Sequence, residues 1–261
     1  MLEGITRIVD RTRLALHIMR ASSQLYGPSF TGLAQGTRKL ALTYDDGPNH
    51  PYTSQLLEVL EKHGVHATFF LIGRFVVERP DIARSLVDAG HAVGNHTYSH
   101  PDLTVLPPAQ IKSELDAGSR AIEDVTGVSP KLFRPPFGRR NRRILSMARK
   151  CGMAPVMWNA ACFDWKAESS ENIGSTLISL IRGGEVLQFH DGGHRKLGVD
   201  RSNCIKVTDE ILLHYRDSGY EFVTVPEMMR TSVQPELAPL GETPHLIASA
   251  PDAERTVETG P

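Results

Sequence analysis

The sequence predicts an α/β barrel, and three observations carry that prediction. Apolar runs of strand length alternate with helical stretches about seven times, an order that calls for parallel strands joined by right-handed helical crossovers. The run Ala67 to Ile72 is apolar throughout, as expected of a strand covered on both faces. A length of 261 residues suits one barrel of this kind.

Each element has its own local justification. Gly4 to Ala21 is amphipathic, with Ile5, Ile8, Val9, Leu16 and Met19 set among arginines, and reads as a helix docked on the barrel. Ser22 to Lys39 is rich in Ser, Gly and Thr and reads as a linker. Leu40, Leu42 and Tyr44 alternate with Ala41 and Thr43 in a first strand that Gly47-Pro48 stops. Ser54 to Lys62 is a helix ended by Gly64, and Pro80 to Ala89 another ended by Gly90. His91-Ala92-Val93 is a strand leading to Asn95. Pro108 to Thr126 carries Ile111, Leu115, Ile122 and Val125 at helical spacing before Gly127. Leu132 to Arg134 is a strand, Arg142 to Lys150 a helix, Ala154 to Asn159 a strand, Glu171 to Ile181 a helix and Glu185 to His190 a strand. Asp209 to Ser218 as a helix and Glu221 to Val225 as a strand complete the series. Residues 1–38 are therefore an N-terminal helix and linker, 39–230 the barrel, and 231–261, rich in Pro, Glu, Ala and Thr, a disordered tail.

Composition excludes several classes of function. A formal net charge of -1 gives no reason to expect a polyanionic partner and disfavours nucleic-acid binding. The 3 cysteines, Cys151, Cys162 and Cys204, are too few and too dispersed for a disulfide framework or a thiolate zinc site. The early apolar run Leu14 to Met19 is broken by His17 and flanked by Arg11, Arg13 and Arg20, so no signal peptide is expected. No stretch approaches the roughly 20 apolar residues that span a bilayer. These features lead us to expect a cytoplasmic protein without a transmembrane segment.

Unusual polar residues collect at the C-terminal ends of the strands, where βα barrels build their sites. Asp45 and Asp46 end the first strand, His96 and His100 follow the third, Arg134 ends the fourth, Asp164 and Trp165 follow the fifth, and His190 ends the sixth. Two adjacent carboxylates repel unless a cation or a shared proton compensates. Asp-Asp-Gly-Pro alone is also an ordinary acidic turn, and a lone histidine pair is often a surface feature. Together, however, Asp46 and two imidazoles spaced for one helical turn make a two-nitrogen, one-oxygen ligand set. That set suits one divalent ion, zinc first, with cobalt, nickel or iron as alternatives.

The segments Thr43-Tyr44-Asp45-Asp46-Gly47-Pro48, His96-Thr97-Tyr98-Ser99-His100, Arg134-Pro135-Pro136-Phe137-Gly138, Asp164-Trp165 and the strand ending at His190 resemble, in order and spacing, the motifs of the polysaccharide deacetylases. This family is carbohydrate esterase family four, with the NodB-homology domain. The resemblance runs from about Lys39 to about Met229. It implies a single-domain distorted (β/α)7 barrel and metal-dependent hydrolysis of an N-acetyl or O-acetyl group on a carbohydrate such as a chitooligosaccharide. It further implies Asp46, His96 and His100 as metal ligands, Asp45 as base, His190 as acid, Arg134 as the residue orienting the base, and Asp164 as the partner of the acid. Trp165, Phe137, Pro136 and Gln188 would bind substrate, Phe137 through its backbone amide.

Three positions depart from the family pattern: Gln188 replaces an apolar residue, Ala161 an acid and Phe137 a common tyrosine. Arg139, Arg140, Arg142 and Arg143 form a basic cluster beside the rim, either a solvated helix start or a means of recognising an acidic or phosphate-bearing substrate. Other readings are a glycosidase, which would need two carboxylates roughly 5 to 9 Å apart across its bond, a non-sugar amide hydrolase, and a sugar-binding barrel without activity.

Overall fold

The computed structural model describes residues 2–165 and 169–233. Strand β1 (Lys39–Asp45) lies in the middle of a parallel sheet. It is followed by α2 (Tyr52–Lys62), β2 (Thr68–Leu71), α3 (Gly73–Glu78), α4 (Pro80–Asp88) and β3 (Ala92–Asn95), all preceded by the N-terminal α1 (Leu2–Ser22). Then come α5 (Pro108–Thr126), β4 (Leu132–Phe133), α6 (Arg142–Lys150), β5 (Ala154–Pro155) and β6 (Ala160–Ala161). The series ends with α7 (Ser170–Leu180), β7 (Val186–His190), α8 (Ser202–Tyr215), β8 (Glu221–Phe222) and α9 (Val225–Val233). The strand order is β5-β4-β3-β2-β1-β7-β6, with β8 beside the first residues of β1. Curled and flanked by helices, the sheet is the distorted (β/α)7 barrel, in a single domain.

Side chains alternate along β1. Leu40, Leu42 and Tyr44 pack with Leu56 and Leu60 of α2, Leu177 of α7 and Ile211 of α8, burying the outer layer. Ala41 packs inside with Phe70, Trp158 and Val186, leaving Thr43 and Asp45 farther up the same interior face. Helix boundaries follow local chemistry. Pro108 occupies the first turn of α5 and Gly127 closes it at φ 73°, while the Asn141 side chain accepts a hydrogen bond from Ile144 N at the start of α6.

Several expectations change. The stretch Ala154 to Asn159 is not one strand: β5 pairs with β4, Met157 N donates to Phe30 O at 2.8 Å, and the chain rejoins the sheet only at β6. Helix α8 begins at Ser202 rather than Asp209, because buried Cys204 and Val207 extend the face of Ile211. Helix α9 continues to Val233, past the boundary placed at 230, and the rest of the predicted tail lies outside the described residues. The predicted linker is a strap: Phe30 N donates to Pro155 O and Leu33 N to Gly184 O, at 2.9 and 2.8 Å, fastening the β5 edge to the start of β7.

Arg140 is not a free member of a basic cluster. It is buried, and its Nη2 donates to the carbonyls of Arg20, Ala21 and Ser23 at 2.9, 2.7 and 3.0 Å, satisfying the C-terminal end of α1. Arg140→Met is expected to cost about 1.5–3 kcal/mol, the range for hydrogen bonds made by a charged group, and to make the 20–30 segment protease-sensitive. Chemical denaturation and limited proteolysis check both.

Candidate active site

The site is built on the pairing of β1 with β7. Their parallel register sets Ala41 beside Val186, Thr43 beside Gln188 and Asp45 beside His190. Every second residue faces the interior, so the barrel grades from apolar at its base to ionisable at its rim. Asp45, Asp46, His96, His100, Gln188, His190 and Trp165 all line one cavity of about 460 Å³.

Asp45 is held from two sides. Arg134 Nη1 donates to its Oδ1 and Gln188 Nε2 to its Oδ2, both at 2.8 Å. Arg134 is fully buried, also donates to Thr43 Oγ1 at 2.8 Å and Met157 O at 3.1 Å, and stacks 4.1 Å from the Phe70 ring centroid. Burial alone would raise the Asp45 carboxyl, but Arg134, with His96, His190 and Gln188, holds it below the ordinary carboxylate value.

Asp46 leaves the strand at φ 73°, a left-handed conformation that swings it onto the same side as Asp45. Gly47 is required next, because a Cβ there would overlap the Asp191 carboxylate, and a Cβ on Gly192 would overlap the Asp46 carbonyl. The two imidazoles are not presented by a helical turn. Thr97 and His100 have φ 68° and 62°, the loop is fastened by Thr97 N to Asn95 Oδ1 at 2.6 Å and His100 N to Thr97 Oγ1 at 3.0 Å, and Pro101 disfavours a helical His100.

The ligand atoms of Asp46, His96 and His100 lie within 4.8 Å of one another, and all three residues are buried. His96 Nδ1 donates to the Arg134 carbonyl at 2.7 Å, which orients the ring so that Nε2 faces Asp46 Oδ1 at 3.5 Å. His100 Nε2 is 3.2 Å from the same oxygen. Asp46 Oδ1 is buried without a hydrogen-bond donor among the described residues, so electron-rich atoms converge on a place that a cation would fill.

His190 is fixed by Asp164, which accepts from Nδ1 at 3.0 Å and from the backbone N at 2.8 Å. Burial would lower this imidazole, but Asp164 outweighs it, with Asp46 and Asp45 adding to the effect, and lifts it to about 9. Trp165 meets the ring edge-on at 4.6 Å. Phe137 is half-exposed at the mouth with φ 57°. Pro136, expected at the groove, is buried at the start of the 3-10 turn Pro136–Gly138, and Pro135 lines the cavity in its place.

Four residues enter that sequence reasoning missed. His17 of α1 lines the cavity, its Nε2 3.2 Å from Gln188 Oε1, with its ring 5.1 Å from that of Trp158. His194 stacks on His100 at 4.9 Å. Asp191 accepts from Thr53 Oγ1 at 2.5 Å; burial, with Asp46 and Asp45 behind it, lifts its carboxyl to about 7 against that bond. His194 and Asp191 could have been suspected from their place just after β7, whereas His17 and Trp158 carry no local signal.

The fold and this cluster define a parallel α/β barrel with an Asp-His-His group and an ionisable Asp/His pair at its rim. The family model described as polysaccharide deacetylase matches residues 33–156. A chitooligosaccharide deacetylase of Bradyrhizobium sp. (strain ANU 289) is 34% identical over 204 residues, spanning 76% of this chain and 93% of that protein. A peptidoglycan-N-acetylglucosamine deacetylase of Bacillus cereus is 32% identical over 209 residues, spanning 79% and 74%. The solved Bc1960 peptidoglycan N-acetylglucosamine deacetylase superposes with a TM-score of 0.72 at 30% identity, covering 77% of this chain and 91% of that one. The chain belongs to the polysaccharide deacetylase family.

Arg134→Met leaves a buried carboxylate uncompensated and is expected to cost about 3–5 kcal/mol. In Asp45→Asn/Arg134→Met the loss should be smaller than the sum of the two single losses. Urea denaturation of the four proteins measures this coupling.

Proposed function

We propose that the protein is a metal-dependent carbohydrate deacetylase that hydrolyses an N-acetyl, or alternatively O-acetyl, group on a sugar and releases acetate. The observation that carries this reading is the buried convergence of Asp46, His96 and His100 in the cavity that Asp45 and His190 enter side by side. N-acetylated glucosamine oligomers are the substrate class favoured, because the relatives are named for chitooligosaccharide and for peptidoglycan N-acetylglucosamine.

Asp46, His96 and His100 would hold the ion, zinc first, with cobalt, nickel or iron as alternatives for this ligand set. When bound, such an ion supplies Lewis acidity that polarises the acyl carbonyl and acidifies water. Asp45 is assigned as the base that takes a proton from the attacking water, with Arg134 and Gln188 keeping it ionised and aimed. His190, oriented and kept protonated by Asp164, gives a proton to the departing nitrogen, without which an amine leaves poorly. The Phe137 backbone amide is assigned to the developing oxyanion, and Trp165 to a wall of the acyl groove.

Acetate release from N-acetylated chitooligosaccharides, with metal analysis on the same samples, tests the proposal. Asp45→Asn should retain metal and lose about 10²- to 10⁴-fold in rate, whereas His96→Ala should lose both metal and rate. An active Asp45→Asn variant would remove Asp45 as base.

His190 must be protonated to act, so the rate should fall as pH rises through its pKa, at or below about 9, since a bound cation opposes the share contributed by Asp46. Asp164→Asn should move this alkaline limb down by roughly one pH unit or more. A pH–rate profile of the two proteins checks the shift.

A further inference from the structure

A second cavity, of about 570 Å³, adjoins the first and shares His17, Phe137, Gly138 and Trp158 with it. One face of α1 forms its wall: Arg13, Leu16, His17 and Arg20 stand at helical spacings of three and four, so all four side chains point the same way. Arg139 and Tyr26 also line it. Among the described residues the lining contains no Asp or Glu.

Its charge is local. The chain carries a formal net charge of -1, yet four arginines line this one cavity. Arg140 is occupied by the carbonyls at the end of α1, and Arg139 reaches Asp102 from a largely exposed position at 2.5 Å. Arg13 and Arg20 are exposed and make no ion pair with an acid among the described residues. Two turns of helix separate them by roughly 10 Å, so they can grip different oxygens of one ligand. Guanidinium groups match carboxylate and phosphate oxygens through paired N–H donors. His17 stands at the seam, contacting Gln188 in the first cavity and lining the second together with the arginines of α1.

We propose that this cavity is a subsite for an anionic group, phosphate or carboxylate, carried by the sugar chain next to the unit whose acyl group is removed. The subsite rests on the deacetylase reading for its placement, and it makes the substrate an acidic oligosaccharide rather than a neutral one.

Binding and turnover separate the two claims. The probes are a neutral N-acetylated chitooligosaccharide and the same oligomer bearing a phosphate ester, or a carboxylate made by oxidation, at its reducing end. Affinity is read by calorimetry on the metal-loaded protein and turnover by acetate release. The anionic oligomers should bind about tenfold or more tightly, equivalent to a charge-assisted bond or two, and the preference should shrink as salt is raised. Arg13→Gln/Arg20→Gln should reduce the anionic-to-neutral affinity ratio to near one, and Arg13→Lys/Arg20→Lys should restore part of it.

Equal affinity for neutral and anionic oligomers, or a preference that survives the glutamine variant, overturns the subsite. So does a proportional loss of both affinities, which would mean that the arginines only hold α1 in place. Vesicles of phosphatidylglycerol that bind through the same arginines, without any preference among the soluble oligomers, overturn it in favour of a membrane surface. Tight anionic binding without acetate from any oligomer supports the subsite and defeats the proposed reaction instead.

Discussion

The buried contact between Arg134 and Asp45 is the constraint on which the site depends. Both groups are out of water, where an unpaired charge is costly and a pair is tolerated only when its remaining hydrogen-bonding capacity is met. Here it is met: Arg134 also reaches Thr43 and the Met157 carbonyl, and Asp45 accepts from Gln188 as well. The guanidinium therefore ties β1 to the segment after β4 and to the chain leaving β5. Its own carbonyl fixes the ring of His96. One residue thus sets the charge of Asp45 and the tautomer of a neighbouring imidazole.

Backbone conformation then separates the duties of two adjacent aspartates. Asp45 is the last residue of β1, in register with His190, and its direction is fixed by the sheet. Asp46 turns back at positive φ, and the turn is held by packing against Asp191 and Gly192. Neighbouring strand residues would otherwise point to opposite faces. The left-handed step is what lets both carboxylates open on one cavity with different partners, Arg134 and Gln188 for one, two imidazoles for the other.

The parts of this arrangement that were legible in the sequence are those encoded by local chemistry. Alternation marks β1, proline and glycine bracket α5, and the rim residues stand at strand ends where chain order alone puts them on one side. The histidine pair was recognisable by spacing, but its presentation was not, because the loop depends on backbone hydrogen bonds to the side-chain oxygens of Asn95 and Thr97 that spacing does not express. The end of β5 at Pro155, short of the expected Asn159, was hidden for a similar reason: a strap from residue 30 takes up the backbone bond that a longer strand would have made. Arg140 looked like surface charge because nothing in its neighbourhood in sequence announces the end of α1, over a hundred residues away.

The same long-range packing explains why the Gln188 side of the cavity differs from what the family pattern implies. Gln188 turns its amide N–H toward an acceptor-only carboxylate, so its carbonyl must face the other way, where it needs a donor. His17 stands there. Burial lowers the pKa of this imidazole, against the opposing hydrogen bond to Gln188, so a neutral ring meets the demand only as the tautomer with hydrogen on Nε2. A glutamine in β7 thereby requires a histidine from a helix that precedes the barrel, and α1 becomes a wall of the site rather than an appendage. The charged face that α1 carries is brought to the cavity by that same contact.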